Sequence, residues 1–277
     1  MTSQPQLNLV ESGEGAPFIF QHGLCGDAAQ PGEVFPTDVP FQRMTLECRG
    51  HGLSEPGDAG AFGIATFAND VAELIEARGI APVPLGGISM GAAIALRLAV
   101  TRPDLVSALV LARPAWLAAD APTNMRPYAE VGDLLARFPA DEARARFDQS
   151  ETSALLEREA PDNLASLRGF FERAPQTVTA SLLTRIARDG PGVTLDQVAK
   201  LAVPTLVIGH GQDLLHPFDH AERLAALIPG SELVEITAKG VSRSQYVIEF
   251  RAALRNFLIG LSGSHSKPIS ALPIPEE

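Results

Sequence analysis

The sequence predicts an α/β fold: a mostly parallel central sheet with helices on both faces, plus one helical insertion. Three observations predict it. Short β-like runs alternate along the chain with segments whose apolar residues recur at helical spacing. Some of those runs, TLVIG at 205–209 above all, are apolar without interruption, as strands buried on both faces are. Between 117 and 191 no strand-like run occurs at all.

The first strands are expected at 7–11 and 17–21, flanking a Ser-Gly-Glu-Gly-Ala turn signal, and a third at 43–48. Phe67, Val71, Leu74 and Ile75 then mark one helix face, with Thr66 as its N-cap and Gly79 as its stop. A strand at 82–86, an Ala/Leu-rich helix at 90–100 and a strand at 108–112 follow. Helical runs at 128–138, 141–147, 152–157, 164–171 and 181–188 make up the insertion. Strands at 205–209 and 232–236 come next, then a last helix striped by Val247, Phe250, Leu254, Phe257 and Leu258. The expected division is a core of residues 1–116 and 192–261, a helical insertion of 117–191, and a Ser/Pro-rich irregular extension of 262–277. Right-handed crossovers would join the parallel strands.

Composition narrows the function classes. The 277 residues are 45% hydrophobic and 20% charged, enough to bury a sizeable core. A net charge of −11 argues against a nucleic-acid partner, which needs clustered Lys and Arg. No apolar stretch approaches the roughly 20 residues that span a bilayer, and the N-terminus has no secretory pattern. Only Cys25 and Cys48 are present, so no disulfide framework is expected and a reducing, cytoplasmic setting is. No metal or cofactor is expected. The expected partner is a small-molecule substrate, and the sequence does not fix the oligomeric state.

The chemistry centres on Gly87-Ile88-Ser89-Met90-Gly91, a G-x-S-x-G between a strand and a helix. A serine on such a turn carries its Oγ above the sheet edge, and the glycines let strand and helix backbones pass closely. Met90 opens the helix, so its N–H is free to face a developing oxyanion.

Three further segments join the motif in order: FIFQHGLCG at 18–26, Arg49-Gly50-His51-Gly52-Leu53-Ser54, and PTLVIGHGQDLLHP at 204–217. Together they resemble the α/β-hydrolase fold family of the cap-domain type. The resemblance implies a Ser89 nucleophile, a second oxyanion N–H from Leu24, a catalytic acid at Asp213, and an insertion that caps the substrate pocket. His22 and His51 read as fixing loop backbone, and His210 and His220 as scaffold or surface.

The resemblance also implies a histidine between the last strand and the last helix. That stretch is ITAKGVSRSQY (236–246), with Val241 about where the imidazole belongs, so the triad reads as incomplete. A serine needs a base. The substitutes are His216, three residues beyond Asp213, or Lys239 if burial lowers its pKa; His265 could be delivered by the tail. Alternatively the fold serves a non-hydrolytic purpose, such as ligand binding or lyase or isomerase chemistry, or Val241 is an engineered replacement. Arg113, at a strand end on the sheet rim, either clamps a substrate carboxylate or pairs with a local acid. The expectation is a hydrolase of small esters, thioesters or lactones with a nonstandard or missing base. The aromatic residues Trp116, Phe138, Phe147, Phe170 and Phe171 either line an apolar pocket or pack the cap's own core.

Overall fold

The computed structural model describes residues 4–264. The chain enters as β1 (Leu9–Ser12) and β2 (Ala16–Gln21), followed by the short helix α1 (Ala29–Val34) and β3 (Phe41–Leu46). Next come α2 (Ile64–Arg78), β4 (Val83–Ile88), α3 (Met90–Thr101) and β5 (Val106–Ala112). From there to residue 204 the chain is helical: α4 (Arg126–Arg137), α5 (Ala140–Asp148), α6 (Glu151–Glu159), α7 (Pro161–Gly169), α8 (Gln176–Ala187) and the single turn α9 (Leu195–Val198). The described residues end with β6 (Thr205–Gly209), α10 (Phe218–Leu227), β7 (Glu232–Glu235) and α11 (Arg243–Ser264).

Among the described residues, seven strands form one sheet in the order β1-β3-β2-β4-β5-β6-β7. Only β1 runs antiparallel, against β3. The uninterrupted apolar strands have a direct physical reason. Successive side chains point to opposite faces, and both faces are covered. Ile19, Leu109, Leu111 and Val207 pack with α2, α3 and the insertion. Their neighbours Phe18, Phe20, Val110, Ala112, Leu206 and Ile208 pack with Val34 of α1 and Phe250 and Leu254 of α11.

The expected α2 differs at its start. Thr66 lies inside the helix, which begins at Ile64 with Gly63 as N-cap and no local side-chain cap. The Ile64 N–H donates instead to Asp189 Oδ2 at 2.7 Å, from the far end of the insertion. Gly79 ends the helix as expected, in the left-handed conformation that glycine adopts without a Cβ penalty. The expected strand at 7–11 starts two residues later and ends at Ser12. The segment expected to be irregular from Ser262 continues α11 to Ser264; the remainder lies outside the described residues.

The insertion is tied across its neck. Trp116 Nε1 donates to the Asp189 carbonyl at 2.8 Å, and the Ala121 N–H does so at 3.2 Å. Its aromatic residues divide between the two expected uses. Phe147 and Phe171 stack at 5.7 Å in its interior, and Arg146 covers Phe138 at 4.0 Å. Phe170, 5.9 Å from Tyr128, turns to the cavity above the sheet. Among the described residues, no helix is long and apolar enough to cross a membrane.

Candidate active site

Ser89 joins β4 to α3 with φ +56° and ψ −109°, a conformation that costs a non-glycine residue about 1–3 kcal/mol. The surroundings hold it there. Its N–H donates to the Ala112 carbonyl of β5 at 2.9 Å. A Cβ on Gly87 would lie 2.4 Å from the Gly91 carbonyl carbon, and one on Gly91 would lie 2.4 Å from the Gln21 carbonyl oxygen. The spacing G-x-S-x-G is therefore a steric requirement of this crossing.

The imidazole against Ser89 belongs to His216. Its Nε2 lies 2.8 Å from Ser89 Oγ, and its Nδ1 lies 3.0 Å from each oxygen of Asp213. The four-residue turn from Asp213 to His216 makes this geometry. Asp213 Oδ1 also accepts the backbone N–H of His216 at 3.0 Å, so one carboxylate fixes both the backbone and the ring of the residue three positions on. The insertion pins the same turn. Asn163 Oδ1 of α7 accepts the N–H groups of Leu214 and Leu215 at 2.8 and 3.2 Å. Asn124 Nδ2 donates to the carbonyls of Ala115 and Leu215 at 3.0 and 2.8 Å.

Arg113 lies behind this pair, buried at the end of β5 with φ +46°. Its Nε and Nη2 donate to Asp213 Oδ2 at 3.0 and 2.6 Å. The guanidinium is thus engaged by a local acid, one of the two uses the sequence allowed, and Arg113 also lines the cavity over Ser89. Arg113 Nη2 is also 3.1 Å from His216 Nδ1. A ring nitrogen cannot both accept there and donate to Asp213. The shorter bond of Nη2 to the carboxylate, the stronger acceptor, leaves the hydrogen on Nδ1 pointing at Asp213. The lone pair of Nε2 then faces the Ser89 hydroxyl.

The charges support this assignment. Burial lowers the His216 pKa below its usual 6.5, with Arg113 adding to the shift and Asp213 opposing it, so the ring is neutral at pH 7. Burial alone would raise the Asp213 pKa; Arg113, then His216, outweigh it and hold the carboxyl well below the usual range.

The segment carrying Leu24 is held on both sides. The Gly23 N–H donates to Gln30 Oε1 of α1 at 2.6 Å, and the Cys25 N–H donates to His51 Nε2 at 3.0 Å. Met90 is the first residue of α3, so its N–H has no acceptor within the helix. His22 and His51 hold loop backbone: His22 Nε2 accepts the Cys48 N–H at 3.0 Å, while their Nδ1 atoms lie 2.8 Å from the Gly23 carbonyl and 3.0 Å from the Arg49 carbonyl, respectively. Gln30, Asn124 and Asn163 were not singled out by the sequence. Their partners lie up to 91 residues away, and no local pattern marks them.

The other candidate bases are elsewhere. Lys239 stands on the cavity wall with its Nζ 3.5 Å from Asp162 Oδ1. Val241 is 64% exposed, in the turn before α11. His210 is buried, with Nδ1 2.6 Å from the Gly211 carbonyl and Nε2 3.6 Å from Asp213 Oδ2. His220 sits in the first turn of α10. His265 lies outside the described residues. Above Ser89 and His216 is a cavity of about 250 Å³, walled by Leu24 and Cys25 from the core and by Tyr128, Asn163, Ser166 and Phe170 from the insertion. Among the described residues, no group of three or more His, Cys, Asp or Glu is placed to hold a metal ion.

Comparison with known proteins agrees with this architecture. The family model described as alpha/beta hydrolase fold matches residues 16–240. The chain is 28% identical over 244 residues to "Putative non-heme bromoperoxidase BpoC" of Mycobacterium tuberculosis, covering 84% of this chain and 90% of that one. It is 28% identical over 210 residues to "Putative carbamate hydrolase RutD" of Klebsiella pneumoniae, covering 71% and 73%. Among solved structures, the enol-lactonase from Burkholderia xenovorans superposes with a TM-score of 0.69 at 23% identity, covering 92% of this chain and 97% of that one. At that identity the likeness is one of fold. With the family model spanning most of the chain, from β2 to the turn before α11, the chain belongs to the alpha/beta hydrolase fold family.

Proposed function

We propose that this α/β hydrolase cleaves small esters, thioesters or lactones, with Ser89 as nucleophile, His216 as general base and Asp213 as the acid that orients it. The observation that carries the reading is the 2.8 Å contact between His216 Nε2 and Ser89 Oγ. A non-hydrolytic use of the fold rests on the lack of a base, and the contact of the His216 imidazole with the hydroxyl supports the hydrolytic reading over it.

On this reading the steps are as follows. Ser89 Oγ attacks the substrate carbonyl as its proton passes to His216 Nε2. The resulting imidazolium is stabilised by Asp213 through Nδ1–H, and the oxyanion is received by the N–H groups of Leu24 and Met90. His216 then protonates the leaving oxygen or sulfur, leaving an acyl-Ser89. Water attacks that ester with His216 again taking the proton, and the acid departs as Ser89 regains its hydrogen. A cavity of about 250 Å³ suits a small acyl substrate. Several relatives' names, a carbamate hydrolase, an enol-lactonase and an esterase from Thermogutta terrifontis, fall within cleavage at an acyl carbon, whereas that of the non-heme bromoperoxidase does not.

The test is hydrolysis of short acyl nitrophenyl esters by the wild type, Ser89→Ala and His216→Gln, together with fluorophosphonate labelling. Stoichiometric labelling and a loss of about 10³-fold or more in kcat for both variants is expected. Equal activity in wild type and Ser89→Ala would remove Ser89 from the reaction. Saturable ligand binding with no labelling would instead favour the non-hydrolytic use.

A further inference from the structure

A second polar cavity, of about 180 Å³, is walled by Ser12 and Gly13 after β1, Gly32 of α1, Phe35 and Thr37 beyond α1, and Arg43 of β3. None of these residues lines the cavity over Ser89. The Arg43 residue is only 6% exposed. Its Nη1 donates to two neutral oxygens, the Ala28 carbonyl at 3.2 Å and Thr45 Oγ1 at 2.6 Å. Among the described residues, no carboxylate forms an ion pair with it.

The neighbouring acids face other partners: Glu33 receives Arg243 and Asp38 receives Arg255, at 2.7 and 2.6 Å. Burial lowers the Arg43 pKa from its usual value, and no neighbouring charge offsets that effect. A guanidinium taken out of water is ordinarily matched by an anion, because desolvation of an unpaired charge costs several kcal/mol. The open side of this one is its Nη2. A Cβ on Gly32 would stand 3.3 Å from that atom, so the glycine keeps the cavity clear directly over the charge. Glycine inside a helix is otherwise unfavourable by about 1 kcal/mol against alanine, and here it gives access to the guanidinium.

We propose that this cavity is a binding site for a small oxyanion, a phosphate or carboxylate group held by Arg43 Nη2. With Nη1 committed to Ala28 and Thr45, Nη2 is left to give such a group a charge-assisted hydrogen bond, stronger than a neutral one. Ser12 and Thr37 also line the cavity, and their hydroxyls are candidate further donors.

The test is a thermal-shift and calorimetric titration of the full chain with inorganic phosphate and, separately, acetate, against chloride at matched ionic strength. A saturable rise in melting temperature is expected, about 3 °C at tenfold the dissociation constant. The stronger of the two anions identifies the group the site prefers. Gly32→Val should abolish the saturable part by closing the space over Nη2 while keeping Arg43 in place; Arg43→Met should abolish it by removing the charge. An equal shift from chloride, or a phosphate and acetate response unchanged in Gly32→Val, would overturn the proposal. Because none of the walls of this cavity reaches Ser89, loss of esterase activity in Ser89→Ala with anion binding intact would separate the two sites.

Discussion

At the scale of single residues, Asp213 is the hub of the site, facing Arg113, His216 and, at 3.6 Å, His210. Its replacement has two separable consequences. Asp213→Asn removes the negative partner of a buried guanidinium, and an uncompensated buried charge costs about 3–5 kcal/mol. It also removes the group proposed to orient His216, which in comparable triads costs about 10⁴-fold in kcat. A melting curve and an ester assay on the same preparation should show both. Val241→His is expected to leave activity within about twofold, because Val241 is solvent-exposed and His216 already occupies the Ser89 hydroxyl. A large gain would show that the turn before α11 reaches the serine. As the proposed base, His216 also sets a pH dependence. With its pKa lowered by burial, His216 stays unprotonated to below the usual 6.5, so kcat/KM should rise with pH along an acid limb whose midpoint is below 6.5.

At the scale of elements, the two loops of the site are held by side chains from neighbouring helices, one close in the chain and one distant. Gln30 of α1 fixes the Leu24 loop, and Asn163 of α7 fixes the turn carrying Asp213 and His216. Asn163→Ala should free two N–H groups of that turn, lowering kcat by about tenfold while ester affinity changes less. An unchanged acid limb would show that it acts by positioning His216 and leaves the ring's charge untouched. The α2 N-terminus is capped from the far end of the insertion by Asp189. Thr66 had the chemistry of a cap and the right neighbourhood, but a tertiary acceptor 125 residues away took the role and moved the helix start to Ile64.

At the scale of the whole molecule, five of the six histidines lie in the described chain, at 22, 51, 210, 216 and 220. Burial, the largest cause in each case, lowers all five pKa values from 6.5. A lowered histidine pKa means that the unfolded chain binds more protons than the folded one, so stability rises with pH. The melting temperature should therefore fall as pH drops below about 6.5. Asp213, held well below its usual value, adds a loss only at more acid pH, below about 3.9. A flat profile between pH 7 and 5 would contradict the neutral, buried state of these rings.

What the sequence determined by itself was whatever short-range pattern encodes. Apolar runs marked the described strands to within about two residues at each end, most clearly β6, whose five residues are all buried, whereas the edge strands β1 and β7 are partly exposed. G-x-S-x-G marked the elbow, because its glycines relieve contacts with the crossing backbone at every such turn. The Asp213-to-His216 spacing was visible too, but as one of several candidate bases. Only the tertiary structure decided which imidazole meets Ser89, since β4 and the loop after β6 are brought together by the sheet order and are 127 residues apart in the chain. It also decided that Arg113 serves Asp213, that Asn163 and Gln30 hold the loops, and that Val241 faces water. The Arg113–Asp213 and Asn163–Leu214 contacts join segments 100 and 51 residues apart, which only the folded sheet and its insertion bring together.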